Sequence, residues 1–283
     1  MSKKIIICLY IKTIFITLFS FAHASNTGVV LEKDQKEFKF FSSIYTQTKA
    51  FDSSGSKIDE WGKTGYWSNY FSFYKGITSD VNWGFQFNIK SVKTGTANSS
   101  ALNAIQFSSQ SDAQFGLTSF GPQFKWKPVE DNNDLSLSIS FSVPLKTDLD
   151  GKVSGRPYLD SNGWKLNSRI YYNYSLNDAI NLFCETGFDY IFDTSTNSPA
   201  HSFSTPAKIF PSYNLTKWSF YLNLDFSPTW NKLNWSAYYF QVGPGIKYLF
   251  SETLEPEIFY SLYLFGKNKG AGNTIGAGVR YIF

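Results

Sequence analysis

The chain has 283 residues, 26 Lys and Arg against 22 Asp and Glu, two cysteines and 19% aromatic residues. Three of those cations, Lys3, Lys4 and Lys12, lie in the first 24 residues; without them 23 basic side chains face 22 acidic ones. That near balance gives no reason to expect nucleic acid, because no basic stripe is present to neutralise phosphates.

Residues 1–24 have the form of an export signal. Lys3 and Lys4 start it, an apolar run over 5–21 follows, and Ala22-His23-Ala24 obeys the small-x-small rule for cleavage after Ala24. A membrane anchor is the rival, disfavoured by Lys12 within the run and by the cleavage site itself. Cys8 is lost with the leader. Cys184 alone remains, so an intramolecular disulfide is excluded although export would permit one. Beyond the leader no apolar run approaches about 20 residues, so no helix is expected to span a membrane. Abundant rings beside a mean hydropathy of −0.23 suit a barrel with aromatic girdles and a polar lumen.

From Glu37 onward, period-two alternation recurs between turn-rich gaps. In 81–90, Val81, Trp83, Phe85, Phe87 and Ile89 share one face against Asn82, Gly84, Gln86, Asn88 and Lys90. In 135–146 the apolar face runs from Leu135 to Leu145 against serines, Pro144 and Lys146. In 218–227, Trp218, Phe220, Leu222, Leu224 and Phe226 oppose Ser219, Tyr221, Asn223, Asp225 and Ser227. Twelve strands are predicted, over about 37–49, 65–77, 81–93, 113–127, 134–146, 164–176, 179–192, 206–214, 217–229, 235–250, 254–265 and 272–283. Pro211 weakens the eighth, leaving ten strands as the fallback.

Short gaps at 78–80, 129–133, 177–178, 215–216 and 251–253 alternate with longer ones at 50–64, 94–112, 147–163 and 193–205. Short periplasmic turns alternating with longer external loops belong to outer-membrane barrels. The expectation is therefore an all-β protein: one antiparallel transmembrane β-barrel over 25–283, with both ends in the periplasm. Its last strand alternates Ile275, Ala277, Val279, Tyr281 and Phe283 with Gly276, Gly278 and Arg280. A terminal aromatic strand of this kind is where the barrel-assembly machinery would engage, and outer-membrane lipid would surround the barrel. A soluble periplasmic β-protein is disfavoured because it would have no reason to sort its connections by length. A weak repeat pairs Phe120-Gly121-Pro122-Gln123-Phe124-Lys125-Trp126 with Val242-Gly243-Pro244-Gly245-Ile246-Lys247-Tyr248, as hairpin chemistry used twice.

With apolar faces toward lipid, the inner wall is expected to hold Lys39, Lys90, Lys146, Lys165, Arg169, Glu185, Asp189, Asp225, Glu255, Glu257 and Arg280. Outward, a midplane Arg or Lys would cost roughly 2–4 kcal/mol. Such a wall either selects solutes by charge or forms a salt-bridged plug. Tyr66, Tyr70, Tyr74, Tyr171, Tyr221 and Tyr263 could stack sugars or aromatic solutes, or serve as girdle and lumen packing.

Ser161-Asn162-Gly163, followed by Ser168-Arg169 and Asn173, resembles a fragment of outer-membrane phospholipase A. Leu159 stands where that motif has its histidine, so the serine lacks a base and no catalytic residue is assigned. His201 falls in a different loop, and with Cys184 it makes no metal set. Asp148-Leu149-Asp150-Gly151 and Asp52-Ser53-Ser54-Gly55 lack the spaced carboxylates of a calcium loop and fit ordinary turns. No metal or cofactor is expected.

Further stretches carry a family resemblance. Phe51-Asp52-Ser53-Ser54-Gly55-Ser56-Lys57 leads to Tyr74-Lys75-Gly76-Ile77-Thr78-Ser79-Asp80-Val81-Asn82-Trp83-Gly84. Asp134-Leu135-Ser136-Leu137 precedes Val143-Pro144-Leu145, and Phe265-Gly266-Lys267 leads into Val279-Arg280-Tyr281-Ile282-Phe283. These resemble the outer-membrane barrels grouped with the MetA pathway of phenol degradation, departing at Lys146, where that family tends to Thr or Gly. The resemblance implies an outer-membrane barrel with a role in solute passage and brings no catalytic residues. The function expected is a passive pore or transporter for small solutes. The alternatives are a closed structural or surface-interaction barrel acting through its loops and, third, a lipid-hydrolysing enzyme.

Overall fold

The computed structural model describes residues 28–129, 132–192, 201–231 and 234–283; the leader and its cleavage point lie outside them. The strands are β1 (Lys36–Phe51), β2 (Lys57–Gly76), β3 (Val81–Gly95), β4 (Ala113–Trp126), β5 (Leu135–Pro144), β6 (Trp164–Ser175) and β7 (Ile180–Phe192). Then come β8, in two pieces (Ser202–Ser204 and Ala207–Asn214), β9 (Trp218–Asn231), β10 (Asn234–Tyr248), β11 (Leu254–Lys267) and β12 (Lys269–Ile282). Each pairs antiparallel with its sequence neighbours, and β12 returns to β1, closing a twelve-stranded barrel. At the seam, the Lys36 N–H donates to the Phe283 carbonyl (2.8 Å) and the Phe283 N–H donates to the Lys36 carbonyl (2.9 Å). Closure gives every strand a hydrogen-bonded neighbour on both sides, as a lipid environment demands.

The barrel is polar inside and apolar outside. Along β3, Asn82, Gly84 and Gln86 are buried while Val81 and Trp83 are exposed. On β5, Ser136, Ser138 and Ser142 are buried and Ile139 faces out. A soluble core would sort these residues the other way. Exposed rings gather at both rims: Trp83, Tyr172, Tyr213, Trp218 and Tyr281 near the chain ends, and Phe107, Trp164, Phe192, Phe203 and Trp235 opposite. Between them the outer face carries Ile139, Ile170, Leu222, Ile258 and Ile275. Two girdles around an apolar band are the surface of a membrane-spanning barrel.

Proline marks where the ladders lapse, because it has no N–H to donate. Pro206 lies in the break in β8, whose two pieces nevertheless share the same neighbours, β7 and β9. Pro211 pairs with Leu182 on β7, while the ladder to β9 skips from Ser212↔Tyr221 to Ile209↔Leu224. The eighth strand is therefore present, and the ten-strand fallback is unnecessary. The two Gly-Pro repeats act alike. The β4–β5 pairing jumps from Phe120↔Val143 to Gln123↔Ser140, and the β10–β11 pairing from Val242↔Leu262 to Gly245↔Phe259. β4 and β10 stand six strands apart, on opposite sides of the barrel.

One connection departs from expectation. A long loop over 50–64 is predicted, yet β1 runs to Phe51 and β2 begins at Lys57, leaving a turn over 52–56. Asp52 makes this turn possible by accepting the N–H groups of Ser54 (2.8 Å) and Ser56 (2.9 Å), with Gly55 at φ +87°. The connections over 96–112 and 145–163 are long, as predicted, and the former carries a short 3-10 turn, Ala101–Ala104.

Candidate functional site: the lumen

The pleat of each strand aims its polar face inward, and the charges meet there in pairs. Glu37 takes the Arg280 Nε at 2.6 Å and the Lys39 ammonium at 3.0 Å, all three buried near the chain ends, with Glu255 buried alongside. Halfway round, Arg169 binds Glu185 (3.1 Å) and Asp189 (2.6 Å), and Lys208 joins Glu185 at 3.0 Å. Asp225 accepts from Gln241 at 2.8 Å, and Glu257 faces Lys247 at 3.5 Å. Lys146 is the exception among the predicted wall charges. Its strand ends at Pro144, so Lys146 is exposed at the rim, its ammonium on the Phe115 carbonyl (3.1 Å).

Two segments enter the lumen from its ends. Residues 28–31 cross from β1 toward β5–β7. The Ser136 hydroxyl donates to the Gly28 carbonyl, Lys125 donates to the Val29 carbonyl (3.1 Å), and the Leu31 N–H donates to Asn82 (3.2 Å). Leu31 is buried, and the Lys125 ammonium also sits 4.6 Å from the Tyr74 ring centre. From the other end the 145–163 loop folds inward: Leu149 and Leu159 pack on Val92 and Tyr66. Behind Leu159, Asp160 meets Lys90 at 2.8 Å and Lys165 at 2.5 Å. Burial alone would raise this carboxyl's pKa; the two ammonium groups outweigh it and hold it well below the ordinary carboxylate range.

Between strap and loop lies a cavity of about 330 Å³ against β2–β6. Its wall is made of Ser, Asn, Gln and Tyr side chains together with Lys90, Lys165 and Arg169, and among the described residues no carboxylate lines it. Most of the wall is internally hydrogen-bonded: Tyr70 to Gln86 (3.0 Å), Asn88 to Ser119 (3.0 Å), Ser138 to Tyr171 (3.2 Å). Asp160, Glu37, Lys125 and the strap were not predicted as site residues. Glu37 and Lys39 share a face at spacing two, a signal that would have found Glu37. Nothing local marks a loop residue such as Asp160 or an extended segment such as 28–31.

The predicted tyrosines all face inward, but they do not form one ladder. A continuous belt runs instead through Tyr66, Tyr45, Tyr263 and Tyr239, with ring centres 6.0, 5.3 and 5.0 Å apart. Ser161 lies in the loop before β6 and Asn173 near the strand's far end, and His201 packs on the rings of Tyr190 and Phe192. Asp148, like Asp52, is occupied by its own turn. Bonds from Ser154 and from the Val153 N–H (2.9 Å) hold its carboxyl below the usual range.

Fold and lumen together define a bacterial outer-membrane β-barrel. The family model described as "Putative MetA-pathway of phenol degradation" matches residues 50–282, and the chain belongs to that family. Among solved structures, the chain is similar to the COG4313 outer membrane channel from Pseudomonas putida F1 (TM-score 0.68, 13% identity, 93% of this chain and 100% of that one). It is also similar to the translocator domain of the autotransporter NalP from Neisseria meningitidis (TM-score 0.53, 9% identity, 97% and 95%). The β domain of the Bordetella autotransporter BrkA is a third (TM-score 0.54, 10% identity, 88% and 99%). At such identities the likeness establishes the fold alone. No curated protein matches in sequence.

Proposed function

We propose that this protein is a narrow pore for small polar solutes in the outer membrane of a Gram-negative bacterium. The carrying observation is the polar chamber between the 145–163 loop and the 28–31 strap, walled by amides, hydroxyls and cations. An inner wall that only filled space would be better served by apolar packing, since buried charge costs several kcal/mol per ion before pairing. The channel similar in fold and the family's link to phenol degradation support passage of small molecules. Export through the leader, cleavage after Ala24 and insertion by the barrel-assembly machinery acting on the strand ending at Phe283 complete the reading. The second reading is a closed barrel acting through its loops, which the strap across one mouth favours.

Planar-bilayer recording of residues 25–283 separates the two. Discrete ohmic steps are expected, and larger ones when residues 28–31 are deleted, because the Gly28 and Val29 carbonyls that accept from Ser136 and Lys125 and the Leu31 N–H that donates to Asn82 are then gone. A silent bilayer from both proteins, with heat-modifiable migration proving the fold, would establish the closed barrel instead.

A further inference from the structure

Building on that pore, we infer that the chamber is a binding site for a small hydroxylated monocarboxylate, held between Lys90 and Lys165. Three cations line the cavity, but Arg169 is spent: it donates to Glu185, to Asp189 and to the carbonyls of Ser168 (2.8 Å) and Phe188 (3.0 Å). Lys90 and Lys165 differ. Among the described residues, both ammonium groups find one shared partner, Asp160. An ammonium carries three donors, so each keeps N–H groups for a ligand, and the cluster holds one cation in excess. Both lysine side chains remain part-exposed toward the cavity, at 25% and 21%.

Asp160 also shows what the pair recognises. Delivered by a loop rather than by the wall, it places a carboxylate between two ammonium groups, as a solute carboxylate would lie. Around the lysines stand Asn88, Ser119, Ser142 and Asn167, short donors and acceptors that suit hydroxyl groups. A cavity of about 330 Å³ lies at the small end of ligand sites, which run from about 300 to 1,000 Å³, and suits an acid of about six carbons.

The test is calorimetric titration of the folded barrel in detergent with gluconate and with glucitol, its uncharged counterpart. Gluconate should bind at least about ten-fold tighter, the scale of one charge-assisted hydrogen bond. The preference should vanish in the Lys90→Met, Lys165→Met double variant, survive Lys165→Arg, and grow in Asp160→Asn, which removes the internal competitor. Equal binding of both compounds, or of neither, to the native barrel would overturn the inference whatever the variants do. So would a gluconate preference that persists without the two lysines. Conductance with no binding would sink the chamber and spare the pore; binding with a silent bilayer would do the reverse.

Discussion

Glu37 answers two buried cations at once, Arg280 at 2.6 Å and Lys39 at 3.0 Å. The strands place them together: Lys39 is directly opposite Arg280 across the seam, and Glu37 sits two residues before Lys39 on the same face. Removing the acid leaves cations that cannot reach water. Glu37→Gln should therefore destabilise the barrel by about 3–5 kcal/mol, the range for breaking a buried pair. Denaturant unfolding in micelles measures it, and a loss within 0.5 kcal/mol would show that water reaches this cluster. Glycine matters here for a different reason. A β-carbon on Gly278 would come within 2.3 Å of two Phe41 ring carbons, and Phe41 pairs with Gly278 across the seam.

Among the elements, the 145–163 loop is held at few points. Leu149 donates its N–H to Asn162 (2.7 Å), the Leu159 and Asp160 N–H groups return to the Leu149 carbonyl (2.8 and 3.0 Å), and Asp160 ties the loop to β3 and β6. Because the folded carboxyl of Asp160 is depressed, its contribution is present in full above the unfolded value near 4 and is lost as pH falls through the folded value. The loop should stay latched at pH 7 and pH 5 and loosen only in strong acid. Asp160→Asn should release it at pH 7. Hydrogen exchange at the Leu149, Leu159 and Asp160 amides reads both; protection unchanged by the substitution would assign the latch to Leu149 and Leu159 packing instead.

For the molecule as a whole, the inverted surface makes a prediction with a direction. Ile139 lies midway along β5 and faces out. Ile139→Arg should cost roughly 2–4 kcal/mol in a bilayer. Refolding into lipid vesicles, followed by heat-modifiable migration, gives the number; a tolerated arginine would place β5 against protein rather than lipid.

Alternation made the strands and their inner faces legible, because period two assigns every residue of a strand once one is assigned. That rule puts Lys39, Lys90, Lys165, Arg169, Glu185, Asp189, Asp225, Glu255, Glu257 and Arg280 on the inner faces of their strands. Lys146 escapes it, since its strand stops two residues earlier. The long loop predicted at 50–64 failed similarly: alternation weakens around Trp61-Gly62-Lys63, where the β1–β2 ladder skips from Gln47↔Thr64 to Lys49↔Asp59 before pairing resumes out to Phe51↔Lys57. The sequence by itself determined the strand number, the face of each strand and the family. Only the tertiary structure decided which charges meet, that Asp160 reaches Lys90 and Lys165, and that 28–31 crosses the lumen. Strand faces follow from local geometry, whereas those contacts join residues up to 243 positions apart and exist only once the barrel closes.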